Sequence, residues 1–296
     1  VSVRGKTVVI TGATAGIGEA AALELARRGA DLVLVARNPD KAKATAAAIE
    51  QAAPNASVQT VQCDLASMRS VRVAAAELVD RLPRIDVLIN NAGLAAVRDR
   101  TTDEAHDEML AANYFGPFLL THLVLSNVGV STPARIVVVG SEAHRVTGRF
   151  DVERFEHMGS YSGLTAQLAY GRTKLLDILF ADELARRLRS SEVTVNSLCP
   201  GLVATGLVRE VGGPIERAGA FISERSPFMR TPAQGARMTV HLADSDKVDG
   251  VTGRFFTSTL GLSVLPTVRA RRDPRIARRV YERTCELVDV EPVKQT

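Results

Sequence analysis

Tyr170 and Lys174 stand four residues apart in a stretch with helical spacing from about Gln167 to Arg189. On a helix that separation brings both side chains out on one face. The pair suits a proton donor and the group that tunes it. A phenol has an ordinary pKa of about 10, too weak an acid for easy work near neutrality, and a neighbouring ammonium favours the phenolate. Ser141 directly follows the apolar run Ile136 to Gly140, which places a hydroxyl at the carboxyl end of a strand, where it can hydrogen-bond a substrate oxygen. Tyr-x-x-x-Lys also recurs by chance as a purely structural pattern, so the surrounding residues decide its meaning.

Glycines form the second cluster. Thr11-Gly12-Ala13-Thr14-Ala15-Gly16-Ile17-Gly18 follows the first strand-like run and opens an Ala- and Leu-rich helical stretch ending at Gly29. A strand, a glycine turn and a helix start together offer unpaired backbone N–H groups to a pyrophosphate, with no side chain in the way. The alternative is a turn with no ligand, but its place at the first strand-to-helix junction favours a dinucleotide site. The second run ends at Ala36-Arg37-Asn38, where an NAD-preferring site would present a carboxylate to the ribose 2′-hydroxyl. Asp31 lies at the opposite end of that run. The Arg37 guanidinium can pair with a 2′-phosphate, which points to NADP(H); a solvated arginine with either cofactor accepted is the competing reading.

The elements that position these groups are legible as short β-branched runs separated by helical stretches. The expected strands are Thr7 to Ile10, Leu32 to Ala36, Val58 to Cys63, Val87 to Asn90, Ile136 to Gly140, Val193 to Cys199 and Arg254 to Phe256. Being apolar almost throughout, they read as strands buried on both faces of a parallel sheet covered by helices. Asn38-Pro39, Ser67 and Thr231-Pro232 supply helix caps. The expected fold is one doubly wound α/β domain over residues 1–296, a Rossmann architecture of about seven strands.

Composition agrees with a globular chain and excludes several classes. Among 296 residues, 46% are hydrophobic and 24% charged, unlike a disordered or fibrous protein. Lys and Arg number 37 against 33 Asp and Glu, a net charge of +4 that does not call for nucleic acid. No uninterrupted apolar run of about 18 residues marks an integral membrane segment. Cys63, Cys199 and Cys285 are widely spaced with no CxxC, which fits a reducing, cytoplasmic setting. The chain begins at Val1, leaving an upstream signal or anchor open. Seven arginines, Arg269, Arg271, Arg272, Arg275, Arg278, Arg279 and Arg283, crowd the region of an expected helix beginning near Pro274. A solvated face is the simpler reading; an acidic membrane or partner surface is the other.

Taken together, the Gly-x-x-x-Gly-x-Gly turn, Asn90-Asn91-Ala92-Gly93, Ser141 and Tyr170-x-x-x-Lys174 resemble the short-chain dehydrogenase/reductase family over nearly the whole chain. The resemblance implies that Asn91, Ala92 and Gly93 shape the cofactor site and that Asp64 and Leu65 contact adenine. It also implies that Asn113 links Lys174 to solvent through water, although Asn113 could be only a helix-distorting polar residue. Pro200-Gly201 would form a turn beside the nicotinamide, with Thr205 a partner for its carboxamide. Asn113, Ser141, Tyr170 and Lys174 are then the catalytic set. The implied reaction moves hydride between nicotinamide C4 and a carbonyl carbon while Tyr170 exchanges the proton.

Asn113-Tyr114-Phe115-Gly116-Pro117, Ser141-Glu142-Ala143-His144 and the 28 residues between Ser141 and Tyr170 resemble the retinol dehydrogenase and protochlorophyllide reductase branch. Gly140 and Cys199 depart from it, standing where Ser and His are frequent; Cys199 itself reads as a small buried residue. Residues 202–229 occupy the place of a substrate lid and are rich in apolar side chains, which favours a small lipophilic carbonyl or alcohol. Covering the core or a subunit contact is the competing role. Phe150, Phe155, Met158 and Tyr161 would add apolar surface nearby. Homodimer and homotetramer both stay open, as does a biosynthetic ketoreductase for a polycyclic or polyketide-like intermediate. A non-catalytic NADP(H)-binding regulator or scaffold would keep the glycine turn and have no use for the catalytic set.

Overall fold

A computed structural model describes residues 2–130, 133–203, 229–259 and 268–295. Among them, seven parallel strands form one sheet in the order β3-β2-β1-β4-β5-β6-β7. These are β1 (Thr7–Thr11), β2 (Asp31–Ala36), β3 (Val58–Gln62), β4 (Val87–Asn90), β5 (Ala134–Val139), β6 (Val193–Cys199) and β7 (Phe255–Thr257). Each falls within two residues of its expected place. Thr11 pairs with Val35, and Val8 with Val87, so β1 lies between β2 and β4. Strand order reverses there, and a parallel sheet carries all its carboxyl ends on one edge, which opens the crevice that positions the site.

Successive side chains of a strand face opposite ways, and both faces are packed. Val9, Val33 and Val35 join a core beneath α3 (Met68–Arg81), α5 (Gly116–Val124) and α6 (Leu164–Arg187). Val8, Ile10, Leu32 and Leu34 join the opposite core beneath α1 (Gly16–Arg27) and α7 (Pro232–Asp244). Edge strand β3 departs from the apolar pattern, with Gln59 and Gln62 exposed. The expected caps hold. Asn38 Oδ1 accepts from Lys41 N at 2.9 Å and starts α2 (Pro39–Ala52), Ser67 Oγ accepts from Ser70 N at 3.3 Å, and Thr231 Oγ1 accepts from Gln234 N at 3.2 Å. Such a cap stabilises its helix by about 1 kcal/mol.

One helical run differs from expectation. Residues Glu108–Asn127 are long and apolar enough to cross a membrane by length and composition, and 72% of that window is buried inside the fold. Asn113, Thr121 and His122 interrupt its apolar run, and each finds internal partners: Thr121 Oγ1 donates to Pro117 O at 2.7 Å, and His122 Nδ1 lies 2.8 Å from Phe118 O. The run is also not a uniform helix. A short α4 (Glu108–Leu110) passes through a π turn, Ala111–Phe115, into α5.

The arginine-rich end forms α8 (Pro274–Val288), which packs against α6. Two of its charges are answered by the insertion after β5: Arg279 pairs with Glu153 at 2.8 Å and Arg283 with Glu156 at 2.9 Å. Arg275 pairs with Asp273 at the start of its own helix, and Arg271 lies 4.5 Å over the Phe255 ring. In the same insertion Phe155, Met158 and Tyr161 are buried in the core instead of lining a substrate surface, and Phe150 is half-buried against them.

Candidate active site

The glycine turn is held shut by side chains that the strand ends present to one another. Thr11, the buried last residue of β1, accepts at Oγ1 from the N–H groups of Asn91 and Ala92, both at 3.0 Å. Asn91 Nδ2 donates to Thr11 O at 2.9 Å and Gly12 O at 3.3 Å. These contacts draw the loop after β4 so close that a Cβ on Gly12 would lie 2.7 Å from Ala92 Cα, and one on Gly18 would lie 2.3 Å from Asn91 Nδ2. Gly12 and Gly16 also adopt φ of +68° and +60°, where side chains are strained. Helix α1 begins after Ala15 with no side-chain cap. Its first N–H groups therefore remain available beside a cradle that only glycine backbone can line, an arrangement that fits a dinucleotide pyrophosphate. Thr14, Ala15 and Ile17 lie half-buried along that turn.

Gly12 N donates to Val35 O at 3.0 Å, which places the end of β2 alongside the turn. Arg37 is exposed there, two residues beyond Val35. Asn38 uses its side-chain oxygen for the α2 cap. At the end of β3, Asp64 Oδ1 accepts from Ala66 N at 3.0 Å, and Leu65 is buried against Gly116, where a Cβ would sit 2.2 Å from Leu65 O. Gly93 is exposed at the mouth of the same crevice. Gly201 continues from β6 and the buried Pro200 with φ of +90°. Arg230 N donates to Leu202 O at 2.8 Å, which joins the two ends of the segment expected to form a lid. Thr205 and residues 204–228 lie outside the described residues.

Ser141, Tyr170 and Lys174 meet beside this crevice. Ser141 caps a 3₁₀ turn, Glu142–Arg145, by accepting at Oγ from Ala143 N at 3.1 Å, and its hydroxyl lies near enough to the Tyr170 phenol to favour the phenolate. Lys174 Nζ lies 5.8 Å from the centre of the Tyr170 ring. It is buried, and it donates to Asp177 Oδ2 at 2.8 Å and to Val139 O at 3.2 Å. Asn113 sits in the π turn with its amide bonded to Leu94 and Thr173: Oδ1 accepts from Leu94 N at 2.7 Å, and Nδ2 donates to Leu94 O at 2.8 Å and Thr173 Oγ1 at 3.0 Å. That side chain pins the loop after β4 to α6, while Asp177 and Val139 take the Lys174 hydrogens.

Lys174 pulls on the phenol in the expected direction, against burial. The Tyr170 pKa is raised above its ordinary value, because desolvation outweighs the pull of the Lys174 ammonium and Asp177 opposes that pull. Asp177 was not among the residues the sequence singled out. Its only signal there is a carboxylate three residues after Lys174 on an otherwise apolar helix face. Burial pushes the Asp177 carboxyl up to about 6, with Lys174 acting in the opposite direction.

Two further supports have little signature in sequence. Gly171, next to Tyr170, lets α6 rest on the Ser141 turn, since a Cβ there would lie 2.2 Å from Val146 O and 2.6 Å from Ala143 O. His144, fully buried, has Nδ1 2.7 Å from Ser141 O and Nε2 3.4 Å from Arg271. Desolvation holds its pKa down at about 4, so the ring is neutral, Nδ1–H donates to Ser141 O and Nε2 accepts from Arg271. Cys199 is buried and unreactive, with its thiol pKa pushed up by desolvation; its sulfur accepts from the N–H groups of Glu142 at 3.3 Å and Gly201 at 3.4 Å.

This arrangement has close counterparts. The short chain dehydrogenase family model matches residues 6–152. Retinol dehydrogenase 14 of Mus musculus is 38% identical over 288 residues, covering 94% of this chain and 84% of that protein. The chain is a short-chain dehydrogenase/reductase of the retinol dehydrogenase branch. Among solved structures, an uncharacterized protein from Mycobacterium Paratuberculosis superposes with a TM-score of 0.74 at 30% identity, covering 98% of this chain and 96% of its own. A short chain dehydrogenase from Shigella flexneri complexed with NADP gives a TM-score of 0.66 at 25% identity, covering 86% and 97%. As a family member, this dehydrogenase/reductase is a nucleotide-binding oxidoreductase with a Rossmann fold.

Proposed function

We propose that the protein is an NADP(H)-dependent oxidoreductase that interconverts a carbonyl and an alcohol on a small lipophilic substrate, with Tyr170 as general acid and base. The observation that carries this reading is the buried Lys174 ammonium, 5.8 Å from the Tyr170 ring centre and fixed by Asp177 and Val139, on a helix packed against the Ser141 turn at the sheet edge shared with the glycine turn.

Gly12, Thr14, Ala15, Gly16, Ile17 and Gly18 would hold the pyrophosphate, with Asn91, Ala92 and Gly93 as the facing wall. Arg37 would bind the 2′-phosphate, and the ends of β3 and β6 would flank the adenine and nicotinamide through Asp64, Leu65, Pro200 and Gly201. When bound, the nicotinamide supplies or accepts the hydride. Ser141 orients the substrate oxygen by hydrogen bonding. In reduction, Tyr170 delivers its hydroxyl proton to that oxygen; in oxidation, the phenolate removes it. Lys174 stabilises the phenolate by charge and keeps one ammonium hydrogen beyond those given to Asp177 and Val139. Asn113 acts by fixing the loop after β4 against α6. Three buried, unpaired cysteines are consistent with a reducing, cytoplasmic setting as part of the same proposal.

The preference for lipophilic substrates draws support from likeness to retinol dehydrogenase 14. The test is a turnover screen with NADPH across retinoids, steroids, quinones and aromatic polyketides, measured beside NADPH binding. Saturable reduction of at least one lipophilic carbonyl is expected. Tight NADPH binding with no turnover of any class would favour a cofactor-binding regulator instead.

A further inference from the structure

Lys174 and Asp177 form a closed ion pair on one turn of α6. Nζ and Oδ2 are 2.8 Å apart, and the two side chains are 4% and 5% exposed. A buried ion pair by itself is a poor stabiliser, because desolvating two charges offsets most of their attraction. This pair, however, sits directly under the group proposed to move the proton. Val139 O, at the end of β5, takes a second ammonium hydrogen at 3.2 Å. The ammonium is thus fixed from two sides, by a carboxylate of its own helix and by the strand that carries Ser141.

We infer that Asp177 is a positioning residue that holds the Lys174 ammonium under Tyr170 and sets how strongly that charge acts on the phenol. This rests on the proposed role of Tyr170. The charged and titratable groups facing Tyr170 are Lys174 and Asp177 of α6 and Cys199 of β6, with the Ser141 hydroxyl from the turn after β5. Those facing Lys174 are Asp177, Tyr170 and Cys199, and Asp177 in turn faces Lys174, Tyr170 and Tyr114. With Val139 O still anchoring the ammonium, removing the Asp177 anion makes a proton easier to lose from both Tyr170 and Lys174, since each loses a negative neighbour. Their titrations are coupled, but both steps of the pair move the same way whichever residue gives up which proton. Lys174→Met removes a cation from the same cluster and moves the phenol step in the opposite direction.

The experiment compares wild type, Asp177→Asn and Asp177→Glu by two readouts. The first is tyrosine ionisation followed by ultraviolet absorbance in the cofactor-free protein; the chain has four tyrosines and no tryptophan, and Tyr170→Phe identifies the relevant step. The second is the pH profile of alcohol oxidation at saturating NADP⁺. Asp177→Asn should move both to lower pH by about one unit, the lower end of the shift expected from one nearby charge. Asp177→Glu, which keeps the charge, should stay near wild type. Unmoved transitions in a folded Asp177→Asn protein would overturn the inference.

If that variant does not fold, the comparison shifts to Lys174→Met with and without Asp177→Asn, where both charges are gone. A positioning role predicts that Asp177→Asn then leaves NADPH affinity unchanged, and a further several-fold loss would contradict it. Failure of the underlying reaction assignment looks different: wild type would show no turnover, or Tyr170→Phe would turn over normally.

Discussion

Gly171 meets the carbonyl of Val146 so closely that a Cβ on it would stand 2.2 Å from that oxygen. The contact seats α6, and with it Tyr170, on the turn that carries Ser141. A methyl group at this position must push helix and turn apart. Gly171→Ala should therefore lower stability by about 1–3 kcal/mol, the usual range for overpacking, and reduce kcat while leaving NADPH affinity close to wild type. Denaturant unfolding and steady-state kinetics on one preparation check both parts. Unchanged kcat would mean that the seating of α6 has no bearing on the chemistry.

Cofactor choice is tested by contrasting two positions at the same edge. Arg37→Ala should weaken NADPH and leave NADH nearly unchanged, because only the former carries a 2′-phosphate. Gly18→Ala should weaken both, because its Cβ would collide with Asn91 Nδ2 at 2.3 Å and open the pyrophosphate cradle. Fluorescence titration with each nucleotide distinguishes the cases, and equal losses for Arg37→Ala would refute its assignment.

Lys174→Met should weaken NADPH binding, because the ammonium hydrogen not taken by Asp177 and Val139 is the one expected to reach the nicotinamide ribose, and should move the basic-side transition of alcohol oxidation upward. Deleting a cation makes the phenolate harder to form, so Tyr170 holds its proton to higher pH. Paired pH–rate curves at saturating NADP⁺ provide the check. No upward movement would show that Lys174 does not tune the phenol.

Acid stability follows from a histidine remote from the site. Burial lowers the His122 pKa to about 4, and its neutral ring bridges Phe118 O and Tyr281 Oη at 2.8 and 2.6 Å. Its folded value lies below the ordinary 6.5, so the unfolded chain binds the extra proton first. The stability it contributes is complete above about 6.5 and is lost as pH falls toward 4. His122→Phe should lower Tm at neutral pH through two lost hydrogen bonds, and should narrow the difference in Tm between neutral and mildly acidic buffer. An equal acid-induced drop in the two proteins would remove His122 from the account.

Six of the seven strands are short runs rich in β-branched residues, and β1, β2, β4, β5 and β6 also keep enough buried residues to stand out from the helices. The edge strands β3, with Gln59 and Gln62 facing solvent, and β7, two phenylalanines and a threonine that are only half-buried, relied on their neighbours for recognition. Helix starts at Asn38, Ser67 and Thr231 were legible because a cap is a local bond between residues three apart. Tyr170, Lys174 and Ser141 could be placed from helical spacing and a strand end. Asp177 could not be singled out, since one carboxylate on a helix reads as solvated until the fold buries it against Lys174. Gly171 was silent, and His144 was legible only as part of a branch motif and not in its role, for a related reason: Val146 O, Ser141 O and Arg271 become their neighbours only after α6, the turn after β5 and the C-terminal region have packed together. The same blindness made Phe155, Met158 and Tyr161 look like apolar surface near the lid when they are core.

The central claim is that Tyr170 moves the proton that accompanies hydride transfer. Replacing it by Phe keeps the ring in its packing and removes only the hydroxyl. The direct measurement is the rate of carbonyl reduction by wild type and Tyr170→Phe at saturating NADPH, with NADPH affinity measured on the same samples. The account predicts a rate loss of about 10²- to 10⁴-fold with affinity largely retained. Near-normal turnover by the Phe variant would contradict it.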